Sequence, residues 1–274
     1  MIADNKLPIV ATAVQAWVGA GRAIAAMPLT SAVGLGCLVA TALAGDYALG
    51  LMLPPPQSPL YLSASDALPA LLVTVAFGVV QSVLLTPFLI AVHRHVLLRQ
   101  ITRGYPLGLS NARFMRYAGF AVLAYVLLSV PALVNRSVEM STAVELAVTM
   151  VLNIAILAVL LRHVVLFPAI AVDAERVDWR RARLLTTGHT WRVFFVMLCV
   201  FLPFLVLAVP MHYFYVWGIV TGEFGAIAYR AVAFVAQLVA LAIFAAASSR
   251  IYGTLDPGLG QELRPTPSVV AARR

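Results

Sequence analysis

Basic residues alternate with long apolar runs along this 274-residue chain, and no other sequence feature constrains the fold as strongly. All of its Lys and Arg residues except Arg136 and Arg230 lie in every second gap between apolar runs or in the ends of the runs beside those gaps. Cytoplasmic loops collect Lys and Arg, so the pattern predicts a polytopic membrane protein with those gaps in the cytoplasm. The composition agrees, because 62% of residues are hydrophobic and 11% are charged, against about a quarter charged in soluble domains.

Six apolar runs are each close to the ~20 residues that a transmembrane helix needs. We predict spans over 28–50, 67–92, 114–134, 143–169, 192–216 and 228–251. An even number of crossings with basic loops on one side places both termini in the cytoplasm. The Pro- and Gly-rich segment 255–274 is predicted to be a disordered basic tail. The sequence therefore predicts an all-α protein whose residues 1–254 form a single six-span membrane domain.

Two shorter helices are predicted to lie at the membrane surface. On a helical wheel of residues 8–26, Thr12, Gln15, Gly19 and Arg22 share one side, and mostly apolar residues share the other. That division is typical of an interfacial amphipathic helix, with a secretory signal peptide as the alternative. The segment 179–187 follows Asp178, a residue type that caps helix N-termini, and carries three arginines beside an apolar side. It predicts a short interfacial helix on the cytoplasmic face.

Three carboxamide residues, Gln81, Asn153 and Gln237, lie close to the middle of the second, fourth and sixth spans. A polar side chain at that depth is unfavourable unless it finds a partner. Two interpretations stay open: the three form one polar site, or each is a contact between two helices worth ~1 kcal/mol. The middle of the spans holds no Asp, Glu, Lys or Arg, which disfavours ion-coupled transport.

Catalytic and metal-binding motifs are absent from the sequence, which has no Walker loop, HExxH, GxSxG or paired-aspartate signature of lipid-headgroup transferases. His93 and His95 point about 200° apart on a helix, so they do not share one metal ion. We therefore predict no enzymatic activity, no cofactor and no metal. An enzyme acting on lipid headgroups would require six residues to converge: His93, Arg94, His95, Arg162, His163 and Asp173.

The cytoplasmic gaps carry arginines suited to anionic lipid. An arginine fork holds a phosphate in two-point contact, and each base near an anionic membrane surface contributes about 1 kcal/mol of attraction. The predicted lipid- or phosphate-binding residues are Arg94, Arg99, Arg180, Arg181, Arg183 and Arg192. A net charge of +8 gathered in short loops beside apolar spans indicates a membrane surface as the partner and no nucleic acid.

Part of the chain resembles a group of six-helix bacterial inner-membrane proteins. The likeness rests on Phe167-Pro168, Val172-Asp173, Ala182, the run from Leu185 to Phe194, and His93-Arg94 with Leu97-Leu98. The group includes uncharacterised integral membrane families and is similar to the membrane domain fused to some glycerophosphoryl diester phosphodiesterases. The resemblance implies the architecture and a bacterial inner membrane. It implies no hydrolase activity, because this sequence lacks the catalytic barrel.

Together these features predict a non-enzymatic inner-membrane protein that supports envelope or lipid homeostasis or a membrane assembly. Its expected partners are anionic lipid headgroups and another protein in the membrane. The alternative is a small-molecule or lipid transporter, or a channel-like carrier, with a polar site at mid-membrane. A solvent-connected cavity at that depth would favour the carrier, whereas a solid bundle would favour the supporting protein.

Overall fold

The computed structural model describes residues 7–52, 64–137, 141–174, 178–221 and 223–256. Within these ranges the chain forms nine helices and no strands, which confirms the predicted all-α fold class. The helices are α1 (Ile9–Ala26), α2 (Pro28–Met52), α3 (Ala64–Leu98), α4 (Ala112–Ser137), α5 (Thr142–His163), α6 (Leu166–Ala171), α7 (Trp179–Thr186), α8 (Thr190–Thr221) and α9 (Glu223–Leu255). By length and composition, seven of them are able to cross a membrane: all except α6 and α7.

The six predicted spans correspond to α2, α3, α4, α5, α8 and α9. The fourth, predicted over 143–169, is divided, because α5 ends at His163 and the chain restarts as α6. Pro168 lacks the N–H that a continuous helix would bond to Val164, and the restart places it in the first turn of α6, where that bond is not needed. All six residues of α6 are buried, so this helix lies inside the bundle.

Helix α1 forms where the sequence predicts a helix, but it packs into the bundle through a face of small residues. Thr12 and Gly19, predicted on its polar side, are buried there, while Val10 is 69% exposed. Small residues let helix backbones approach closely. The indole Nε1 of Trp17 donates to the carbonyl of Val200 in α8 at 3.2 Å. Helix α1 contacts α3, α8 and α9, and by length and composition it is a seventh candidate span beside the six predicted ones.

The short helix α7 matches the predicted segment 179–187 to within one residue. Asp178 caps it as expected, because its side chain accepts a hydrogen bond from the backbone N–H of Arg181. Thr186 is fully buried, and its hydroxyl lies 3.0 Å from two carbonyl acceptors, Ala182 in its own helix and Arg162 at the end of α5. This contact fixes the end of α7 against the end of α5.

A polar contact joins three helices inside the bundle. His93 of α3 is fully buried, and its Nδ1 lies 2.7 Å from Ser249 Oγ of α9. Its Nε2 lies 2.9 Å from the hydroxyl of Tyr117 in α4. Buried polar groups persist where their hydrogen bonds are made, so this trio gives α3, α4 and α9 a fixed register.

The predicted tail 255–274 lies outside the described residues, apart from Leu255 and Asp256. Asp256 is only 5% exposed, and its carboxylate is 2.9 Å from the guanidinium of Arg181. This ion pair therefore holds the C-terminal end of α9 against α7.

Candidate functional site

The arginine-rich gaps of the sequence meet at one end of the bundle, which we call the arginine end. Arg113 at the start of α4 forms an ion pair with Asp173, which follows α6. The hydroxyl of Thr30 near the start of α2 donates to the carbonyl of Gly104 at 3.1 Å. With the Arg181 contact to α9, these bonds bring the C-terminal ends of α3 and α9 and the N-terminal ends of α2 and α4 to the same end, beside α6 and α7.

Two of the arginines predicted to bind lipid are engaged in contacts within the protein. Arg94 donates to the side-chain oxygen of Gln100 at 2.6 and 3.0 Å and to the carbonyl of Ala171 at 3.1 Å. Arg181 forms the ion pair with the buried Asp256. Both side chains therefore hold segments of the arginine end together, which leaves them less available to a ligand.

Two other predicted arginines, Arg180 and Arg183, line an open cleft between α5 and α7. The cleft has a volume of about 460 Å³. Its lining consists of Ala158, Val159, Arg162, His163, Trp179, Arg180 and Arg183, which we call the α5–α7 cleft. Arg162 is not among the predicted lipid residues, but its place at the end of the α5 span puts it beside the other two. Among the described residues, none of these three guanidiniums has a carboxylate partner.

The walls of the α5–α7 cleft are held by aromatic contacts that lead into the core. The rings of His163 and Trp179 lie 4.7 Å apart, and Trp179 meets Phe120 edge-on at 5.2 Å. Phe120 in turn packs on Phe167 of α6 at 4.5 Å. One wall is apolar, because Val159 on α5 is 46% exposed and faces outward. The cleft thus combines a cationic rim, an indole and an outward apolar wall, the combination that suits a lipid headgroup with its acyl chain.

The remaining predicted lipid arginines lie elsewhere at the arginine end. Arg192 is half-buried at the start of α8, next to Trp191, which is 74% exposed. An exposed indole beside an arginine is the usual anchor at headgroup depth. Arg99 follows the last residue of α3 and is close enough to Arg250 of α9 to repel it electrostatically. The six predicted residues therefore do not form one site.

Two of the three mid-span carboxamides contact each other, and the third does not. Gln81 donates to the hydroxyl of Thr41 at 3.1 Å, and Gln237 donates to the side-chain oxygen of Gln81 at 3.5 Å. Asn153 is exposed and donates to the carbonyl of Thr149 in its own helix at 2.8 Å. Of the two interpretations, these contacts favour links between helices: Gln81 and Gln237 connect α2, α3 and α9, and Asn153 lies outside that link.

A crevice of about 200 Å³ opens beside this link, between α2 and α3. Its polar lining includes Thr41, Asp46, Thr74 and Gln81, and the ring of Tyr125 closes one side. Asp46 forms an ion pair with Arg230 at 3.1 Å, at the far side of the bundle from the arginine end. The crevice therefore connects a charged outer rim with a carboxamide near mid-span.

The residues that a headgroup enzyme would require do not converge. His93 bonds to Ser249 and Tyr117 in the core, whereas His163 lies in the α5–α7 cleft. Asp173 is paired with Arg113, and Arg94 lies near enough to interact with it electrostatically. Over the described ranges, no group of three or more His, Cys, Asp or Glu side chains is placed to hold a metal ion.

Sequence reasoning missed Tyr105, which lies in the loop between α3 and α4. Its hydroxyl donates to the carbonyl of Leu84, inside α3, at 2.6 Å. Burial raises the pKa of the Tyr105 phenol well above its usual value. No local signal distinguishes this tyrosine, because an aromatic residue in such a loop is equally typical of a membrane-surface anchor.

Comparisons with protein-family models, curated proteins and solved structures find no match to this chain.

Proposed function

We propose that this chain is a non-enzymatic protein of the bacterial inner membrane that binds anionic lipid headgroups in the α5–α7 cleft and so supports lipid or envelope homeostasis. The observation that carries the proposal is the set of three guanidiniums, Arg162, Arg180 and Arg183, around a cleft with an apolar outward wall. Each cation near an anionic surface contributes about 1 kcal/mol, and paired arginine forks add two-point contacts to phosphate.

The direction of the bundle in the membrane supports the same proposal. The arginine end holds most of the basic residues, and the positive-inside rule assigns that end to the cytoplasm. The cytoplasmic leaflet carries anionic lipid headgroups, so the α5–α7 cleft would lie beside its ligand. Trp179 and Trp191, both exposed, would then lie at headgroup depth.

A charge-matched pair of variants tests the proposal. We expect Arg180→Gln with Arg183→Gln to reduce the phosphatidylglycerol and cardiolipin that co-purify with the protein, measured by native mass spectrometry. The control is Arg103→Gln with Arg116→Gln, which removes two exposed charges from the arginine end but outside the cleft. Equal lipid occupancy in both double variants would reject headgroup binding in the cleft, because surface charge alone would then explain the bound lipid.

A second candidate function, a small-molecule carrier, is favoured by the crevice beside Gln81. If the crevice is a solvent-connected path, a water-soluble thiol reagent added from the Asp46 side should label Gln81→Cys. The control is Asn153→Cys, which lies at a similar depth but on an exposed face of α5. Failure to label Gln81→Cys, with the protein folded, would leave the carboxamide link as a contact between helices and remove the carrier candidate.

A further inference from the structure

Three arginines converge where α1, α3 and α9 meet. A Cβ atom at Gly19 of α1 would lie 3.6 Å from Val96 of α3 and 3.7 Å from Ala246 of α9. The three backbones therefore approach closely at this level. One turn further along each of the three chain segments, toward the arginine end, there is an arginine.

These residues are Arg22, Arg99 and Arg250, which we call the arginine triad. Arg22 and Arg99 are exposed, and both lie near enough to Arg250 to act on it electrostatically. Arg250 is half-buried, and its buried Nε has no hydrogen-bond partner. Buried donors in native proteins normally have an acceptor, so this unpartnered N–H indicates a place for one.

Of the seven Asp and Glu residues in the described ranges, four bond elsewhere, and the others lie in the first turns of α3, α5 and α9, away from the arginine end: Asp66, Glu145 and Glu223. Asp46, Asp173 and Asp256 pair with other arginines, and Asp178 caps α7. The C-terminal ends of α1, α3 and α9 offset only part of the triad's charge, since each carries roughly half a negative charge. A net positive charge is left for an anion.

The backbone at Arg99 agrees with this interpretation. Its φ of +57° lies in the left-handed region, which glycine or asparagine normally occupies just after a helix. An arginine here is disfavoured both by its backbone conformation and by the two cations beside it. An anion bound between the guanidiniums would offset the repulsion.

We infer that the arginine triad is a second anion site that takes a phosphate group. The triad is a separate site from the α5–α7 cleft, because it is built from different helices and from residues outside that cleft. Three arginines offer planar forks of N–H donors, which match the tetrahedral oxygens of phosphate better than single point charges do. The phosphate group belongs either to a lipid headgroup or to a soluble phosphate compound, and the probes below separate these two sources.

The test uses the full chain, purified in a neutral detergent and freed of lipid. Its melting temperature is followed while sodium phosphate replaces sodium chloride at constant ionic strength, and separately during titration with short-chain phosphatidylglycerol. A ligand that binds the folded state raises the melting temperature in a saturable way. We expect such a rise with at least one probe. A rise with inorganic phosphate assigns a soluble ligand, and a rise with the lipid alone assigns a headgroup.

Variants then locate the site. Arg22→Gln with Arg99→Gln should weaken the apparent affinity at least tenfold, and because both side chains are exposed the fold should persist. Arg250→Lys, which keeps the charge but removes the fork, should also weaken it. The charge-matched Arg103→Gln with Arg116→Gln should bind as the unmodified chain does. Unchanged affinity in the Arg22 and Arg99 variant, or no saturable rise with either probe, would overturn the inference.

The cleft variant Arg180→Gln with Arg183→Gln separates this inference from the proposed function. If it keeps the melting-temperature rise while losing co-purified lipid, the triad and the cleft are independent sites. If it loses the rise while the Arg22 and Arg99 variant keeps it, the anion binds in the α5–α7 cleft. In that case the inference of a triad site is wrong and headgroup binding in the cleft stands.

Discussion

Two adjacent serines near the end of α9 have the same burial but different roles. Both Ser248 and Ser249 are fully buried. The hydroxyl of Ser248 donates to the carbonyl of Phe244 in its own helix at 2.9 Å, so it is satisfied whatever the neighbouring helices do. Ser249 bonds instead to His93 of α3, which also contacts Tyr117 of α4. Of the two serines, only Ser249 makes a contact that holds neighbouring helices together.

This difference predicts unequal effects of the same substitution. Ser249→Ala leaves the buried His93 without one partner, and an unsatisfied buried polar group costs about 1–3 kcal/mol. Ser248→Ala removes a bond within one helix, so we expect a change well below that range. The measurement is the midpoint of thermal unfolding in detergent, at matched protein concentration. Equal midpoints for the two variants would contradict an interhelical role for His93.

The three mid-span carboxamides show which properties of a single residue can be predicted from the sequence. Hydropathy fixes the depth of Gln81, Asn153 and Gln237 in their spans, and that depth is sufficient to select them. Whether two of these side chains touch also depends on the rotation of each helix about its axis. The sequence of α5 is apolar on nearly every side, so it gives no preferred buried face, and Asn153 faces outward. Depth alone therefore does not determine which two of the three carboxamides meet, and only the packed bundle pairs Gln81 with Gln237.

At the scale of elements, charge and length predict the long helices, while packing decides the role of α1. The six predicted spans and the short α7 all appear, although α3, α8 and α9 extend several residues beyond the predicted bounds and the fourth span is divided at α6. A helical wheel assigns α1 to the surface because it separates polar from apolar residues. Glycine and threonine count as polar on such a wheel, yet their small size makes them the packing face inside a membrane bundle.

Two glycines of α1 allow a matched test of this packing. At Gly19 an added side chain would meet Val96 and Ala246, whereas at Gly21 nothing lies within 4 Å. Gly19→Leu should therefore overpack the junction and lower stability by about 1–3 kcal/mol, seen as a lower unfolding midpoint in detergent. Gly21→Leu should have little effect. Equal tolerance of both changes would indicate that α1 lies apart from the bundle, as the helical wheel suggests.

At the scale of the whole molecule, the path of α1 decides whether Pro8 and the C-terminal end of α9 lie on the same side of the membrane. Arg22 lies near Arg250 at the arginine end, so α1 points its C-terminus there. Trp17 bonds to Val200, ten residues after the start of α8 at Thr190, which is about 15 Å into the bundle. Pro8 precedes Trp17 by nine residues, or roughly 13 Å more. Together these two lengths approach the ~30 Å thickness of the hydrocarbon core, so α1 is long enough to cross it.

Seven crossings, in place of the predicted six, would leave Pro8 and the C-terminal end of α9 on opposite sides of the membrane. The test introduces one cysteine at a time into a chain whose Cys37 and Cys199 are replaced by Ala. The positions are Pro8, Ser110 at the arginine end and Ser141 before α5, all of them exposed. A membrane-impermeant thiol reagent is then applied to intact spheroplasts.

We expect Ser141→Cys and Pro8→Cys to be labelled from outside, and Ser110→Cys only after the membrane is opened. Ser141 lies at the opposite end of the bundle from the arginines, so it reports the positive-inside orientation independently of α1. Labelling of Ser110→Cys from outside would invert the orientation of the whole molecule and place the α5–α7 cleft in the wrong leaflet. Labelling of Ser141→Cys without Pro8→Cys would keep the orientation but return α1 to the cytoplasmic side, with six crossings and both ends of the chain on one face.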